Sequence, residues 1–581
     1  MLLGEIRKKL VVTEEYYFRL YSVLEAKNSD LVMDDKAEFL SSLLLCRNSL
    51  CATGASVVAA RRLEDLIRRL NVFGLGLARL DVRQEASRHS SLIAALAQAN
   101  GLGDFQVMAE PDRQSLLLGF LEKSSHTLSI PLLSTDDQEV LDTFKALVDL
   151  PRESLGSYVI SMARSPSDIL AVEFLQVLSG ADKTLPVVPL FEQVEDLRTA
   201  GETLERLFSV PWYKKHISHV GFSPRQQVMI GYSDSAKSAG RLSASWELYK
   251  TQEAIRDVCV RHGVVPTLFH GRGGAVSRGG APTYTAIAAL PPGLVQNSMR
   301  VTEQGETIME KFGLAGLAVR NMELYVSAVL ESTIKPEAVA RAEWRGEMDR
   351  LAQISEARFR EVVEREPGFV DYFKMATPEP ELSLLRIGSR PARRSQTGGL
   401  KSLRAIPWSF AWTQTRLHLP AWLGVDRALA DAQKEGRLKQ LSEMYQGWGF
   451  FRSMMDLIEM VLAKTELTVA ARYDQVLVDE KLLGLGQSLR TSLEEVRKLV
   501  LEVTRHRFLL EENPMIRHLI TVRNPYVDPL NFLQVELLRK YRARENAGGA
   551  TGDRQANHPD KLLLALLTTI NGIAAGMRNT G

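Results

Sequence analysis

The sequence predicts a mainly α protein with a TIM-like α/β parallel barrel. The barrel is incomplete, with about seven of eight strands, and is surrounded by many helices. Two observations predict this. Short β-prone runs alternate with helical stretches, and parallel neighbours need such crossovers. Polar and charged residues follow each run, and active sites assemble at the carboxyl edge of a parallel barrel.

The runs, in order, are ARLDV (78–82), YVISM (158–162), PVVPLF (186–191), QVMIGY (227–232), VVPTLF (264–269), SMRVT (298–302) and AIPWSF (405–410). Residues 340–363 read as a helix with a charged outer face. Ser492 and Glu495 have capping-box spacing ahead of Val496, Leu499, Val500 and Val503, which share one helix face. Residues 544–560 carry no apolar period and read as a surface loop. The apolar stretch Leu562–Met577 is short for a bilayer and is interrupted by Thr568, Thr569 and Asn571, so a buried helix is expected. Its Gly572-x-x-x-Gly576 spacing permits close helix packing. Three regions follow: a helical segment over 1–70, a barrel core with active-site loops over 71–425, and a carboxy-terminal helical region over 426–581.

Composition excludes several classes. Hydrophobic residues are 45% and charged residues 24% of the 581, which is ordinary for a globular chain and unlike disordered or collagen-like sequence. A net charge of +2 gives no support for a nucleic-acid binder. Cys46, Cys51 and Cys259 are too few for a disulfide framework or a four-cysteine zinc site. The first residues, MLLGEIRKKL, show no apolar export region, and no membrane span is visible, so the cytoplasm is the expected compartment.

The strongest chemical signal is FHGRGGAVSRGGAP (269–282). Its five glycines let the backbone approach a ligand, Arg272 and Arg278 offer planar forks for phosphate or carboxylate, and His270 offers an acid, base or ligand. A solvated Gly-rich turn is the plain alternative, weakened by the apolar run directly before it. In GYSDSAKSAGR (231–241), Asp234 suits a metal ion and Lys237 an oxyanion, although an Asp after a strand is often just a helix cap. Glu192, ending PVVPLF, is the natural second carboxylate. Arg390, its neighbours Arg393 and Arg394, and Arg404 form a third basic group; Arg79 and Arg83 bracket another run. Arginines gathered from separate strand ends fit a small, highly charged substrate better than a polymer. The remaining histidines show no metal-ligand spacing, and Met454, Met455, Trp408 and Trp412 read as packing.

These segments, with LRAIPWSFAWTQTR, RNPYVDPLN, GIAAGMRNTG, GLARLDVRQE, YVISMARSPSDILAVEFLQ and VVPLFEQVEDL, together resemble phosphoenolpyruvate carboxylase from about residue 75 to the end. The resemblance implies carboxylation of phosphoenolpyruvate by bicarbonate to oxaloacetate and phosphate, with Mg²⁺ or Mn²⁺ as cofactor. It implies Glu192 and Asp234 as metal ligands. Arg79, Arg272, Arg390 and Arg404 would hold phosphate and bicarbonate oxygens, His270 would help shape the pocket for carbon dioxide, and His270, Arg272, Arg278, Lys237 and Arg404 would be catalytic. It implies an aspartate or malate inhibitor site at Lys464, Arg523, Asn579 and Arg278, and a homotetramer. Ser238 stands where the family commonly has Asp, and Ser277 where Gly is common. The family's Thr-Ala-His-Pro-Thr motif is not found; the one His-Pro pair is His558-Pro559. On that reading the chain is the carboxy-terminal two-thirds of the family, its amino-terminal part absent. Two functions follow: the carboxylase, or a non-catalytic chain that binds metal, substrate or effector, or assembles with intact subunits.

Overall fold

The computed structural model describes residues 7–9, 11, 36–122, 128–218, 223–272, 282–295, 298–335, 339–385, 400, 403–547 and 560–578. The chain divides into two compact units. One comprises Met1–Ser161 with Ser167–Val188, the other Met162–Pro166 with Pro189–Gly581.

Among the described residues six strands form one sheet: β1 (Leu80–Glu85), β2 (Leu155–Ser161), β3 (Val187–Phe191), β4 (Arg225–Gly231), β5 (Val265–Gly271) and β6 (Arg300–Val301). Each neighbours the next in chain order, and β1–β2, β3–β4, β4–β5 and β5–β6 pair in parallel. The result is an incomplete barrel wrapped in helices. All five residues of β3 are buried, as continuous apolar strands covered on both faces require.

Six of the seven expected runs are strands. The seventh, AIPWSF, lies in the helix Ala405–Gln414. All of that helix except Ile406 is buried, and the run AIPWSF, apolar but for Ser409, shows no polar face. A continuous apolar run cannot distinguish buried strand from buried helix by period. Pro407 falls in the first turn, where its missing N–H costs nothing.

The second unit's helices pack by apolar stripes. In Val194–Phe208 the residues Val194, Leu197, Ala200, Leu204 and Leu207 are buried at helical spacing. This helix meets Arg241–His262, where Thr251 donates to the Leu197 carbonyl at 2.9 Å. The expected 340–363 helix is Ala342–Arg360, continued by Glu361–Arg365. Trp408, Trp412, Trp422 and Trp448 anchor one large core with Met454 and Met455.

The capping reading at Ser492 does not hold: the helix runs Leu483–Thr504 and Ser492 lies in its middle. Leu489 and Leu493 extend the buried stripe upstream of Val496, Leu499, Val500 and Val503, so helix continues through the box. The last described helix is Lys561–Met577, and no described helix is long and apolar enough to cross a membrane. Of the expected 544–560 loop, residues through Asn546 are helical and 548–559 lie outside the described residues. All three cysteines are free.

Candidate active site

The carboxyl ends of β3, β4 and β5 bring the chemistry together through strand register. Phe191 pairs with Ile230, Ile230 with His270, and Gly231 with Gly271. Glu192, the residue after β3, therefore stands beside Gly231. A Cβ added there would lie 2.5 Å from the Glu192 Cβ and 2.9 Å from its Cα. Only glycine admits that approach. Gly271 repeats the device, its Cβ direction being closed by Met229 Cε at 3.0 Å and the Ile230 carbonyl at 3.1 Å.

Glu192 is buried and Asp234 half-buried. Asp234 sits in the first turn of Ser233–Ala239, where an anion is favoured by the helix dipole. Lys237, one turn on, donates to the Leu400 carbonyl at 2.8 Å. Among the described residues no group of three or more His, Cys, Asp or Glu side chains forms a metal cluster. Two carboxylates at neighbouring strand ends still fit Mg²⁺, which keeps several waters and uses one or two carboxylates plus substrate oxygens.

His270 is 1% exposed, and its Nδ1 shares a 2.8 Å hydrogen bond with the Tyr232 hydroxyl. Burial, then the Arg272 charge, holds its imidazole well below the usual histidine range. It is neutral at physiological pH. Arg272 stacks over the Tyr232 ring at 5.3 Å and donates to the Ala286 carbonyl at 3.1 Å. Gln304 fixes the backbone behind it by donating to the Arg272 carbonyl at 2.7 Å. Arg404 is half-buried and immediately precedes the helix Ala405–Gln414. Arg79 is exposed in the first unit, with Arg152 as its charged neighbour. Arg278, Arg390 and Asn579 lie outside the described residues.

A second basic cluster lies at the end of the last helix. Lys464 Nζ donates to the Met577 carbonyl at 3.2 Å. Burial, Arg523 and Arg578 pull its pKa down to about 8. Burial and Arg578 also lower that of Arg523, while Glu310 pairs with Arg578 at 3.4 Å. The sequence reading named Lys464 and Arg523; their neighbour Arg578, which stands in the quoted GMRN segment, it did not name. It also missed Tyr232, whose signal was an aromatic hydroxyl at the end of a β-prone run.

Fold and site thus define an α/β half-barrel that gathers two carboxylates, a neutral imidazole and the Arg272 guanidinium at one strand edge. A family model described as phosphoenolpyruvate carboxylase matches residues 1–581, and the chain belongs to that family. The chain is 47% identical to the phosphoenolpyruvate carboxylase of Marinobacter nauticus, the match covering 100% of this chain and 64% of that protein. It is 45% identical to the enzyme of a Marinomonas species (100% and 64%) and 46% identical to phosphoenolpyruvate carboxylase 4 of Arabidopsis thaliana (100% and 56%). The chain therefore spans a little under two-thirds of the length of these relatives.

The match from residue 1 corrects the sequence reading. The resemblance does not begin near residue 75. The first 74 residues belong to the family match as well.

Proposed function

We propose that the chain is a phosphoenolpyruvate carboxylase, a carbon–carbon lyase forming oxaloacetate and phosphate from phosphoenolpyruvate and bicarbonate. The observation that carries this reading is the convergence of Glu192, Asp234, His270 and Arg272 through the β3–β4–β5 register, in a chain of that family.

In this reading a bicarbonate oxygen attacks the phosphorus, and the bond from phosphorus to the enol oxygen breaks. Carboxyphosphate and the pyruvate enolate result. Carboxyphosphate then releases carbon dioxide and phosphate, and the enolate carbon bonds to carbon dioxide. Arg272 and Arg404 hold phosphate and bicarbonate oxygens, and Lys237 neutralises developing charge. Glu192 and Asp234 would hold Mg²⁺ or Mn²⁺, which supplies countercharge to phosphoryl and enolate oxygens. His270 suits the carbon dioxide step because it is neutral: an imidazolium beside the enolate would protonate it and yield pyruvate.

The Lys464–Arg523–Arg578 cluster takes a dicarboxylate such as aspartate or malate; the resemblance adds Asn579 and Arg278, which lie outside the described residues. Two carboxylates answer the excess of cations over the single Glu310. Assembly is as a homo-oligomer, a homotetramer in the family, which light scattering of the purified chain tests.

The direct experiment follows oxaloacetate from phosphoenolpyruvate, bicarbonate and Mg²⁺ by coupled reduction to malate, with and without aspartate. Turnover that aspartate inhibits is expected. Arg272→Ala should lower kcat by about 10²–10³-fold with an unchanged circular dichroism spectrum; activity within a few-fold refutes its role. Substrate binding without turnover by the native chain would leave the binding-only reading, and inhibition absent at saturating aspartate would remove the effector site.

A further inference from the structure

Arg241 begins the helix Arg241–His262 and is only 6% exposed. Its Nε meets no hydrogen-bond partner, and among the described residues its guanidinium enters no ion pair. The charge of Arg272 acts on it, and among the described residues Arg272 Nε is likewise buried without a partner. A buried guanidinium beside a half-buried one, with no carboxylate pairing either among the described residues, is unfavourable unless an anion joins them. Burial and the Arg272 charge pull the Arg241 pKa down to about 10, which leaves it charged at neutral pH.

Both arginines line one cavity of about 70 Å³, with Tyr232, Ser245, Gln252 and Ser453. Gln252 is 4% exposed, and among the described residues its carbonyl Oε1 is a buried acceptor with no donor. The lining thus asks for two things at once: negative oxygen for the guanidinium groups and a hydroxyl for Gln252. Water supplies only the hydroxyl, and a fully deprotonated anion only the negative oxygen.

We propose that this cavity is a binding site for a small protonated oxyanion, hydrogen phosphate or bicarbonate, held by Arg241 and Arg272 with its O–H donated to Gln252. The site does not depend on turnover by the chain. It gives Arg241, which the carboxylase reading leaves without a role, the task of fixing Arg272 through a shared anion.

The test is thermal unfolding of the purified full chain, titrated separately with inorganic phosphate, bicarbonate and sulfate at constant ionic strength. A saturable rise in Tm with phosphate or bicarbonate supports the site; whichever binds tighter identifies the source. Sulfate carries no proton at neutral pH and should bind at least tenfold more weakly. Arg241→Met should weaken the response at least tenfold without lowering Tm in anion-free buffer, since a buried unpartnered charge is removed. A purely structural arginine would do the opposite, lowering Tm and leaving the anion response intact. Ser453→Leu, which fills the cavity, carries the same expectation if Arg241→Met does not fold. Arg404→Met separates this site from the candidate phosphate site and should leave the response in place. An unchanged response in whichever cavity variant folds, or one lost only in Arg404→Met, overturns the proposal.

Discussion

Gly231 sets how near Glu192 can stand to the neighbouring strand. Its absent Cβ leaves room for the Glu192 backbone and Cβ, so the carboxylate emerges at the β4 edge rather than being pushed from it. Gly231→Ala should therefore cost about 1–3 kcal/mol through overpacking. It should also weaken Mn²⁺ binding roughly tenfold, as disturbance of a ligand's support commonly does. Urea denaturation and a Mn²⁺ titration read the two effects; wild-type values in both would show that Glu192 is not held there. Glu192, Asp234, His270 and Arg272 were legible because each follows an apolar run, and a sheet places such residues on one edge. Arg241 was on view in the same segment yet carried no signal. What distinguishes it is burial without a carboxylate, a property of packing rather than of sequence.

Among the elements, strands buried on both faces were readable where β-branched residues filled them, as in VVPLF and QVMIG. AIPWSF misled because burial erased its period. The motifs LRAIPWSFAWTQTR and RNPYVDPLN have a structural account that sequence could not supply: they grip one another. Arg416, fully buried, donates to Asp528, to Asn524 at 3.1 Å and to the Lys464 carbonyl at 2.9 Å. Asn531 donates to the Gln414 carbonyl at 2.6 Å. The Gly572–Gly576 pair was read correctly as a close-packing face. An added Cβ at Gly576 would meet Val527 Cγ2 at 2.3 Å, and one at Gly572 would meet Leu530 Cδ1 at 2.9 Å. Gly576→Ala gains about 1 kcal/mol of helix propensity but loses about 1–3 kcal/mol to the clash, so net destabilisation is expected. Val527→Ala opens that space, and the double variant should recover at least ~1 kcal/mol relative to additivity. Strict additivity in the denaturation cycle would mean the two helices do not meet there.

At the scale of the whole molecule, buried neutral imidazoles make the fold sensitive to acid. His89 is 1% exposed, bonds the Tyr158 hydroxyl at 2.8 Å, and has its pKa pushed down to about 3 by burial and the Arg88 charge. His270 and His418 are held well below the usual range, in each case chiefly by burial. The unfolded chain takes up a proton on each near pH ~6.5, whereas the folded chain refuses it. Each imidazole therefore contributes stability above that pH and loses it as the pH falls. Asp456 works the other way. Burial raises its pKa to about 6, so the folded chain holds its proton longer than the unfolded one, and its contribution is lost as the pH rises. Total stability thus mixes opposing slopes, and a comparison of variants isolates one of them. His89→Gln removes a single titration and keeps a side chain able to reach Tyr158. Relative to wild type, it should gain about 2 kcal/mol between pH 7 and pH 5, whatever its cost at pH 7. Equal pH slopes for the two chains would show that His89 protonates as readily in the folded state as in the unfolded one.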